Sequence, residues 1–539
     1  MKTYNEFMRE ISSDELYRGL LAFGMFTDKL PPVFTSEPFY DFCETLSQPF
    51  TKEERRIVNY EAMRHTSAPR IFAIPNPFAY QLLCRCLADN WDKLCDHFEN
   101  QTGSSEYKIS RIHVRKMPDS EAVFTSLDIS SDDPLGLEGH DEETPEPTFK
   151  EHIFDMNFPN WRDGSPELDI IIGKYWLVKA DISNCFPSIY THAIPWALVG
   201  KDVAKTSRNG NTYFNKLDKM CQNMNYGETH GIPIGPHASN LISEIILTCV
   251  DERLHTRWKY IRNIDDYTCF VESREDADAF LADLIKCLRD FGLSINHKKT
   301  SIIELPKTLE EDWRSKVDGI SQYERNGKLN FKSVQYYLNN AINLAQKSDM
   351  NLAVLKYAVK VLGNRRNLDR MTDNAKHFCC KVILHLASIH TYLVPLLDEY
   401  VFGAYNTEPA QLKGFAEKVL RKSVKTRNFQ ATSFCVYFAL KYEVELPDLN
   451  ADLAIESGDC VFMIMTKLYF DKNPNAIESD KILAHAETLL ADKDDFEKNW
   501  LFVYEALPAS KFSGLGDWTR MKNSSITFIN TLDDISELI

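Results

Sequence analysis

The chain has 539 residues and a formal net charge of −16, with 44% hydrophobic and 26% charged residues. This composition is typical of a globular protein, and the length requires more than one hydrophobic core. The acidic balance excludes a protein that coats nucleic acid through clustered Lys and Arg, although it allows a local basic groove. No apolar run reaches the roughly 18 residues of a membrane span. We therefore expect a cytoplasmic protein with no membrane partner.

The predicted elements follow one another in three stretches. Residues 1–110 are predicted to be helical, and a strand-like run, YKISRIHVRKM, comes next. An acid-rich segment from Asp119 to Glu151 is predicted to be a loop. Residues 170–305 mix strands with helices, and from about residue 330 the chain is predicted to be almost entirely helical. The spacing of these last helices suggests stacked pairs like those of a HEAT solenoid.

Two adjacent acids interrupt an apolar strand pattern in YIRNIDDYTCF. Burying Asp265 and Asp266 in such a strand is costly unless they are paired or bound to cations. At the tip of a hairpin they could project towards a divalent metal. A surface turn is the alternative, and the pattern alone favours that alternative.

A further single acid ends an apolar run in KADISNCFPSIY, where Val178–Ile182 is predicted to be a strand. Two metal ions about 4 Å apart can stabilise the attacking and leaving oxygens of a phosphoryl transfer. They need oxygen ligands from neighbouring strands. Asp181 on this strand, with Asp265 and Asp266 on a hairpin, supplies such a set.

Four segments in order resemble the motifs of reverse transcriptases: KADISNCFPSIY, GIPIGPHASNLISEIIL, NIDDYTCF and LSINHKKT. The first resembles the motif of the first carboxylate and the second the glycine-rich substrate motif. The third resembles the double-aspartate motif, and the fourth the motif ending in Lys-Thr. The order and spacing make this combination specific, and the surface-turn alternative for the two acids loses its weight.

The resemblance implies a role for each matching residue. Asp181 and Asp265 would bridge two Mg²⁺ ions, for which Mn²⁺ is a possible substitute, and Asp266 would complete the catalytic set. The carbonyl of Ile182 would be a further metal ligand. Phe186, five residues after Asp181, falls at the position of a steric gate that would exclude a 2′-hydroxyl and select dNTPs. A ring that simply fills the core is the alternative.

The same resemblance predicts further nucleotide contacts. Gly231 and Gly235 would let the backbone approach the incoming base and the primer end. Lys299 would lie near the leaving pyrophosphate, with Lys298 as the competing candidate and a solvated lysine as the alternative. The contacts predicted in the fingers are basic residues of the strand-like run: Arg111, Arg115 and Lys116. A solvated edge strand explains these nearly as well.

Two departures from the family pattern fall where template and primer strands are normally held. Ile234 stands where templated enzymes usually have glutamine, and Asn263 stands where an aromatic residue is usual. The phrases CFPSIYTHAIPWAL and GIPIGPHASNLISEI, with the helical C-terminal half, most resemble the bacterial abortive-infection reverse transcriptases, a phage-defence group. That group implies template-independent DNA synthesis, primed by a protein hydroxyl, in a homo-oligomer.

DNA made in this way would stay covalently attached to the protein. The candidate primers are N-terminal tyrosines: Tyr4, Tyr17, Tyr40, Tyr60 and Tyr80. Two other functions remain open, namely a conventional RNA-templated reverse transcriptase of the retron or intron kind and a catalytically silent polymerase fold acting as a sensor. Arg370 and His377 match the loose spacing of HEPN-type ribonucleases, but a solvated helix face is the simpler interpretation.

These inferences give an α+β fold with two domains. Residues 1–320 would form a reverse-transcriptase-like domain of helical N-terminus, fingers and palm, and the palm sheet should be antiparallel. Residues 321–539 would form an all-helical, HEAT-like domain in the place of a thumb.

Overall fold

The computed structural model describes residues 3–65, 68–111, 113–114, 154–155, 166–306, 312–348 and 350–530. The acid-rich segment lies outside these residues. So do Arg115 and Lys116, two of the predicted triphosphate contacts.

The N-terminal region is mainly helical, as expected, but it also contains a β-hairpin that the sequence analysis missed. Strand β1, Val58–Ala62, pairs in antiparallel register with β2, Arg70–Ile74. The burial of β1 alternates residue by residue, which is the period of a half-buried strand. The main helices of this region are Tyr4–Arg9, Ser13–Arg18, Glu37–Glu44, Pro77–Ala88 and Trp91–Thr102.

A four-stranded antiparallel sheet forms the centre of the palm, which confirms the predicted strand arrangement. Its strands are β5 (Trp176–Asp181), β6 (Tyr260–Asn263), β7 (Asp266–Val271) and β8 (Ser301–Glu304), in the order β6-β7-β5-β8. The two earlier strands, β3 (His113–Val114) and β4 (Phe154–Asp155), pair only with each other.

Helices cover this sheet. The helix His237–Leu254 is buried along almost its whole length, because it packs against the helices Trp91–Thr102, Ala193–Val199 and Arg274–Arg289 and bonds to Tyr260 and Arg262 of the sheet. The other helices of the region are Pro166–Ile171, Cys185–Ser188, Ala193–Val199, Lys201–Thr206, Tyr213–Met224, Arg274–Arg289 and Asp312–Asp318.

The C-terminal half is helical over its described residues, as the sequence predicts. Its long helices are Phe331–Lys347, Leu352–Gly363, Asp373–Ile389, Pro409–Lys425, Phe429–Lys441, Cys460–Lys472 and Ala476–Ala491. The shorter ones are Arg365–Arg370, Ala451–Ser457, Lys493–Lys498, Trp500–Ala506 and Asp517–Asn523. No helix in the described part of the chain is both long and apolar enough to cross a bilayer.

The last helices return to the N-terminal region. Arg55, just before β1, forms a buried ion pair with Glu497, in which Nη1 lies 2.8 Å from Oε1. The same carboxylate accepts the backbone N–H of Arg56 at 3.1 Å. Near the C-terminus, the N–H of Asn530 donates to the carbonyl of Val33. The C-terminal helices therefore pack against β1 and stabilise the hairpin β1–β2.

Candidate active site

The three predicted catalytic carboxylates meet at one end of the palm sheet. Asp181 is the last residue of β5 and lies opposite Asp266, the first residue of β7. Asp265 occupies the turn that joins β6 to β7. The antiparallel register thus brings together side chains that are 84 and 85 positions apart in the chain.

Backbone hydrogen bonds fix this arrangement. The N–H of Ile182 donates to the carbonyl of Asp265 at 3.1 Å, and the N–H of Asn296 donates to the carbonyl of Asp181 at 2.7 Å. Ile264 has a φ of 54°, a left-handed conformation that is unfavourable for a β-branched residue. The double-aspartate turn is therefore tight, and its neighbours hold it in place.

The electrostatics of the site show mutual repulsion between the acids. Burial, followed by the charge of Asp181, raises the pKa of Asp265 to about 6. The side chain of Asp266 is exposed, yet the surrounding protein displaces water near its carboxylate. This desolvation and the charges of Asp265 and Asp181 raise the pKa of Asp266 to about 7. Lys299 supplies a counter-charge, with its Nζ 2.7 Å from Oδ2 of Asp181.

The donor set fits divalent cations, because carboxylate and carbonyl oxygens are the ligands that Mg²⁺ prefers. Asp181, Asp265 and Asp266, with the carbonyl of Ile182, would hold them. Within the described residues, no three His, Cys, Asp or Glu side chains converge as a preassembled metal centre. Lys299, whose side chain is 60% exposed, contacts Oδ2 of Asp181, so a cation at that oxygen would compete with its ammonium.

The glycine-rich segment lies directly against the turn that follows Asp181. The N–H of Ile232 donates to the carbonyl of Phe186 at 2.9 Å, and that of Gly231 donates to Ile189 at 2.8 Å. Gly231 has a φ of 86°, and a Cβ added there would approach the carbonyl oxygen of Pro187 to 3.1 Å. Glycine is thus required by both conformation and space.

The missed hairpin β1–β2 contacts the other end of this segment. The N–H of Ala73 donates to the carbonyl of Ile234 at 2.8 Å. Gly235 has a φ of 121°, and a Cβ there would lie 3.3 Å from the carbonyl oxygen of Ala73. The hairpin β1–β2, which we call the fingers hairpin, is therefore joined to the glycine-rich segment by direct backbone contacts.

Phe186 lies in the short helix Cys185–Ser188, beside both Asp181 and the glycine-rich segment. Its ring is partly buried and packs against the hydrophobic core. This position is compatible with a steric gate and also with a structural ring.

Residues 144–338 match the family model of the reverse transcriptases, described as "Reverse transcriptase (RNA-dependent DNA polymerase)". The matched range contains all three aspartates, the glycine-rich segment and Lys299. This segment of the chain is therefore similar to a reverse-transcriptase domain.

Two solved structures with weak similarity are telomerases. Apo telomerase from Candida tropicalis has 10% identity and a TM-score of 0.29, and the match covers 83% of this chain and 71% of that chain. Telomerase from Candida albicans, in complex with a fragment of telomeric RNA, has 10% identity and a TM-score of 0.20, covering 61% and 49% respectively. No curated protein sequence matches this chain.

Arg111 does not have the exposed side chain that a triphosphate contact needs. It is buried, and its Nη2 lies 3.6 Å from Oε1 of Glu167. Its backbone N–H donates to the carbonyl of Arg262 at 2.8 Å. The strand-like pattern of YKISRIHVRKM does not indicate whether the side chain of Arg111 faces solvent or the protein interior.

The structure instead identifies Arg70, at the start of β2, as a cation near the aspartates. Arg70 is exposed, and its charge acts on Asp265 by lowering that group's pKa against the larger effects of burial and Asp181. Burial and then the charge of Arg70 lower the pKa of Arg64, so a second arginine is close by. The β-period of Val58–Ala62 was the sequence signal that could have revealed this hairpin.

The proposed priming tyrosines differ in accessibility. Tyr4 and Tyr17 are buried: the hydroxyl of Tyr4 donates to Glu244, and that of Tyr17 accepts from Gln81. Tyr40 is partly exposed, and its ring packs against that of Tyr17. The two other candidates are fully buried: Tyr60 and Tyr80.

Arg370 and His377 lie outside the reverse-transcriptase domain, on two consecutive helices, Arg365–Arg370 and Asp373–Ile389. Arg370 forms an ion pair with Glu324, whereas His377 is exposed. The described contacts of Arg370 are thus structural, and they do not involve the histidine.

Proposed function

We propose that this protein is a DNA polymerase of the reverse-transcriptase type that acts in phage defence, adding dNTPs without a template to a hydroxyl group of the protein. The observation that carries the polymerase activity is the register of Asp181 opposite Asp266, next to Asp265, inside a reverse-transcriptase domain. Burial and neighbouring charges raise the pKa of Asp265 and Asp266, and such an arrangement is costly for a binding module but useful in a metal-dependent active site.

The residues of the site divide the chemistry between them. Bound divalent cations would supply the positive charge that stabilises the attacking and leaving oxygens. Asp181, Asp265 and Asp266 would hold those cations, and the exposed ammonium of Lys299, now paired with Asp181, would neutralise the leaving pyrophosphate. Arg70 extends the positive charge along the fingers side of the cleft, where a triphosphate would bind.

Support for template independence comes from the contacts of Ile234. Its carbonyl is bonded to Ala73 of the fingers hairpin, so its position in the wall of the cleft is fixed. The side chain at that position is apolar, and it cannot make the hydrogen bonds that glutamine makes with a nucleic-acid strand. Asn263 pairs with Asp266 across the hairpin, in the place of the usual aromatic residue.

Exposure favours Tyr40 as the priming residue. A nucleophilic hydroxyl must reach the α-phosphate of a dNTP, whereas the hydroxyls of Tyr4 and Tyr17 are held in buried hydrogen bonds. In the homo-oligomer that we propose, the priming hydroxyl would come from the same subunit or from a neighbouring one. The C-terminal half from residue 321 would act as a HEAT-like helical scaffold in the place of a thumb.

Incubating the full-length protein with labelled dNTPs and Mg²⁺, without nucleic acid, tests this function. We expect labelled DNA that stays with the protein in denaturant and is released by protease. Asp265→Asn should abolish it, whereas Asp290→Asn, which removes a surface acid paired with Arg253, should not.

Each component of the proposal can fail separately in this assay. Synthesis that requires an added RNA template would show a conventional reverse transcriptase. Incorporation that survives Asp265→Asn would refute the metal-site assignment. Peptide mapping of the DNA-linked residue tests Tyr40, with Tyr40→Phe expected to remove the label and Tyr17→Phe, at a buried tyrosine, expected to retain it.

A further inference from the structure

A fully buried arginine lies three residues before Asp265. Arg262 is 0% exposed, and its guanidinium makes contacts in three directions. Nη1 lies 3.0 Å from Oε2 of Glu244, and Nε and Nη2 lie 2.9 and 2.5 Å from Oδ2 of Asp251. Nη1 also donates to the carbonyl of Ile264 at 2.9 Å.

Through the carbonyl of Ile264, Arg262 contacts the turn that contains Asp265. Ile264 has the unfavourable positive φ, and its carbonyl belongs to the peptide bond that leads into Asp265. Anchoring this carbonyl to a buried cation fixes the orientation of that peptide plane. The direction in which the two aspartates leave the backbone therefore depends on Arg262.

The arginine is itself held by the buried helix His237–Leu254. Glu244 and Asp251 are two helical turns apart and lie on the same face of that helix. The hydroxyl of Tyr260 donates to Asp251 at 2.9 Å, and that of Tyr4 donates to Glu244 at 2.8 Å. Burial and then the charge of Glu244 raise the pKa of Tyr4, which keeps its hydroxyl in the donating form.

We propose that Arg262 is a positioning residue for the metal-holding aspartates, and that the series Tyr4, Glu244, Arg262 and Ile264 makes the cation affinity of the site depend on the first helix of the chain. Arg262 would thus act on the bound divalent cation indirectly, by orienting the backbone of the turn that carries Asp265 and Asp266. This inference rests on the proposed function, since it requires the aspartates to bind divalent cations.

The test measures Mn²⁺ binding to the full-length protein by electron paramagnetic resonance, together with the Mg²⁺ dependence of dNTP incorporation. Arg262→Lys and Arg262→Met should weaken Mn²⁺ binding by about tenfold or more, because groups that orient metal ligands contribute about that much to affinity. Tyr4→Phe removes one hydrogen bond without changing the packing, and it should weaken binding by about two- to fivefold.

Arg55→Met is the matched control, because Arg55 also forms a buried ion pair, but with Glu497 of the C-terminal half and not beside the double-aspartate turn. It should lower Tm and leave Mn²⁺ affinity unchanged. Unchanged Mn²⁺ affinity in folded Arg262→Lys protein overturns the inference. If neither Arg262 variant folds, the same result for Tyr4→Phe overturns it. Wild-type protein that binds Mn²⁺ but incorporates no nucleotide refutes the polymerase function and leaves the role of Arg262 standing.

Discussion

The ammonium nitrogen of Lys299 lies 2.7 Å from Oδ2 of Asp181, and so it neutralises one of the three carboxylates. A divalent cation must compete with this ion pair. Replacing Lys299 by Met should therefore tighten Mn²⁺ binding by about two- to fivefold, which corresponds to the strength of an exposed ion pair. It should also slow dNTP incorporation, because the charge near the leaving group is lost. Lys298→Met is the control, and weaker Mn²⁺ binding in Lys299→Met would contradict this role.

Phe186 lies between the first carboxylate strand and the glycine-rich segment, which is where the sugar of an incoming nucleotide would pass. If its ring is a steric gate, Phe186→Ala should lower the preference for dNTPs over rNTPs by about tenfold or more, measured as the ratio of kcat/KM values. Phe331→Ala removes a partly exposed ring outside the palm and should leave that ratio unchanged. A structural ring would instead give lower Tm with unaltered sugar selectivity.

Arg70 is exposed and Arg111 is buried, so replacing the first should affect nucleotide binding and replacing the second should affect stability. Arg70→Ala should raise the KM for dNTPs by about tenfold with little effect on Tm, since the side chain is exposed and its charge acts on Asp265. Arg111→Met should leave KM unchanged but destabilise the fold by about 3 kcal/mol, because Glu167 would remain buried and unpaired. Steady-state kinetics and thermal unfolding of both variants check this, and the reverse pattern would restore Arg111 as a nucleotide contact.

Asp459 should make stability depend on pH. It caps the helix Cys460–Lys472 by accepting from the N–H of Phe462 at 2.8 Å, and burial raises its pKa to about 6. A raised pKa means that ionisation opposes folding, and this cost grows as the pH rises from about 4 to 6 and is constant above. Asp459→Asn keeps the capping acceptor, so it should raise Tm by about 2 °C at pH 8.

That difference in Tm should shrink as the pH falls from 6 towards 4. Asp492→Asn is the control for the loss of capping charge, because Asp492 caps the helix Lys493–Lys498 from an exposed position. An increase in Tm that is the same at every pH would contradict the role of ionisation at Asp459.

The central sheet and its acids could be predicted because local patterns define them. Asp181 and Asp265 each end an apolar run, and two such strands in one palm must meet at the same edge. The resemblance predicts Lys299 near the leaving pyrophosphate, whereas its ion pair with Asp181 is a tertiary contact that the sequence does not indicate. The positions of the strands and of the acids therefore follow from short sequence motifs and from their order in the chain.

The failures concern relations between segments that are distant in sequence. The charge of Arg70 reaches Asp265 only because the hairpin β1–β2 docks against Ile234 through a backbone hydrogen bond. Arg111 has the charge of a triphosphate contact and Tyr4 the hydroxyl of a primer, but tertiary packing buries both side chains. A side-chain type in a sequence does not indicate whether its polar group will face a cleft or a buried acid.

The ion pair between Arg55 and Glu497 has a consequence for attempts to express part of this protein alone. The region that resembles other reverse transcriptases ends at residue 338, yet the arginine before the fingers hairpin relies on a carboxylate 159 positions beyond that limit. A fragment cut at the boundary of sequence similarity would expose an unmatched charge and the apolar underside of β1. For this chain the unit that can be transplanted, permuted or expressed alone is therefore larger than the unit that is recognisable by homology.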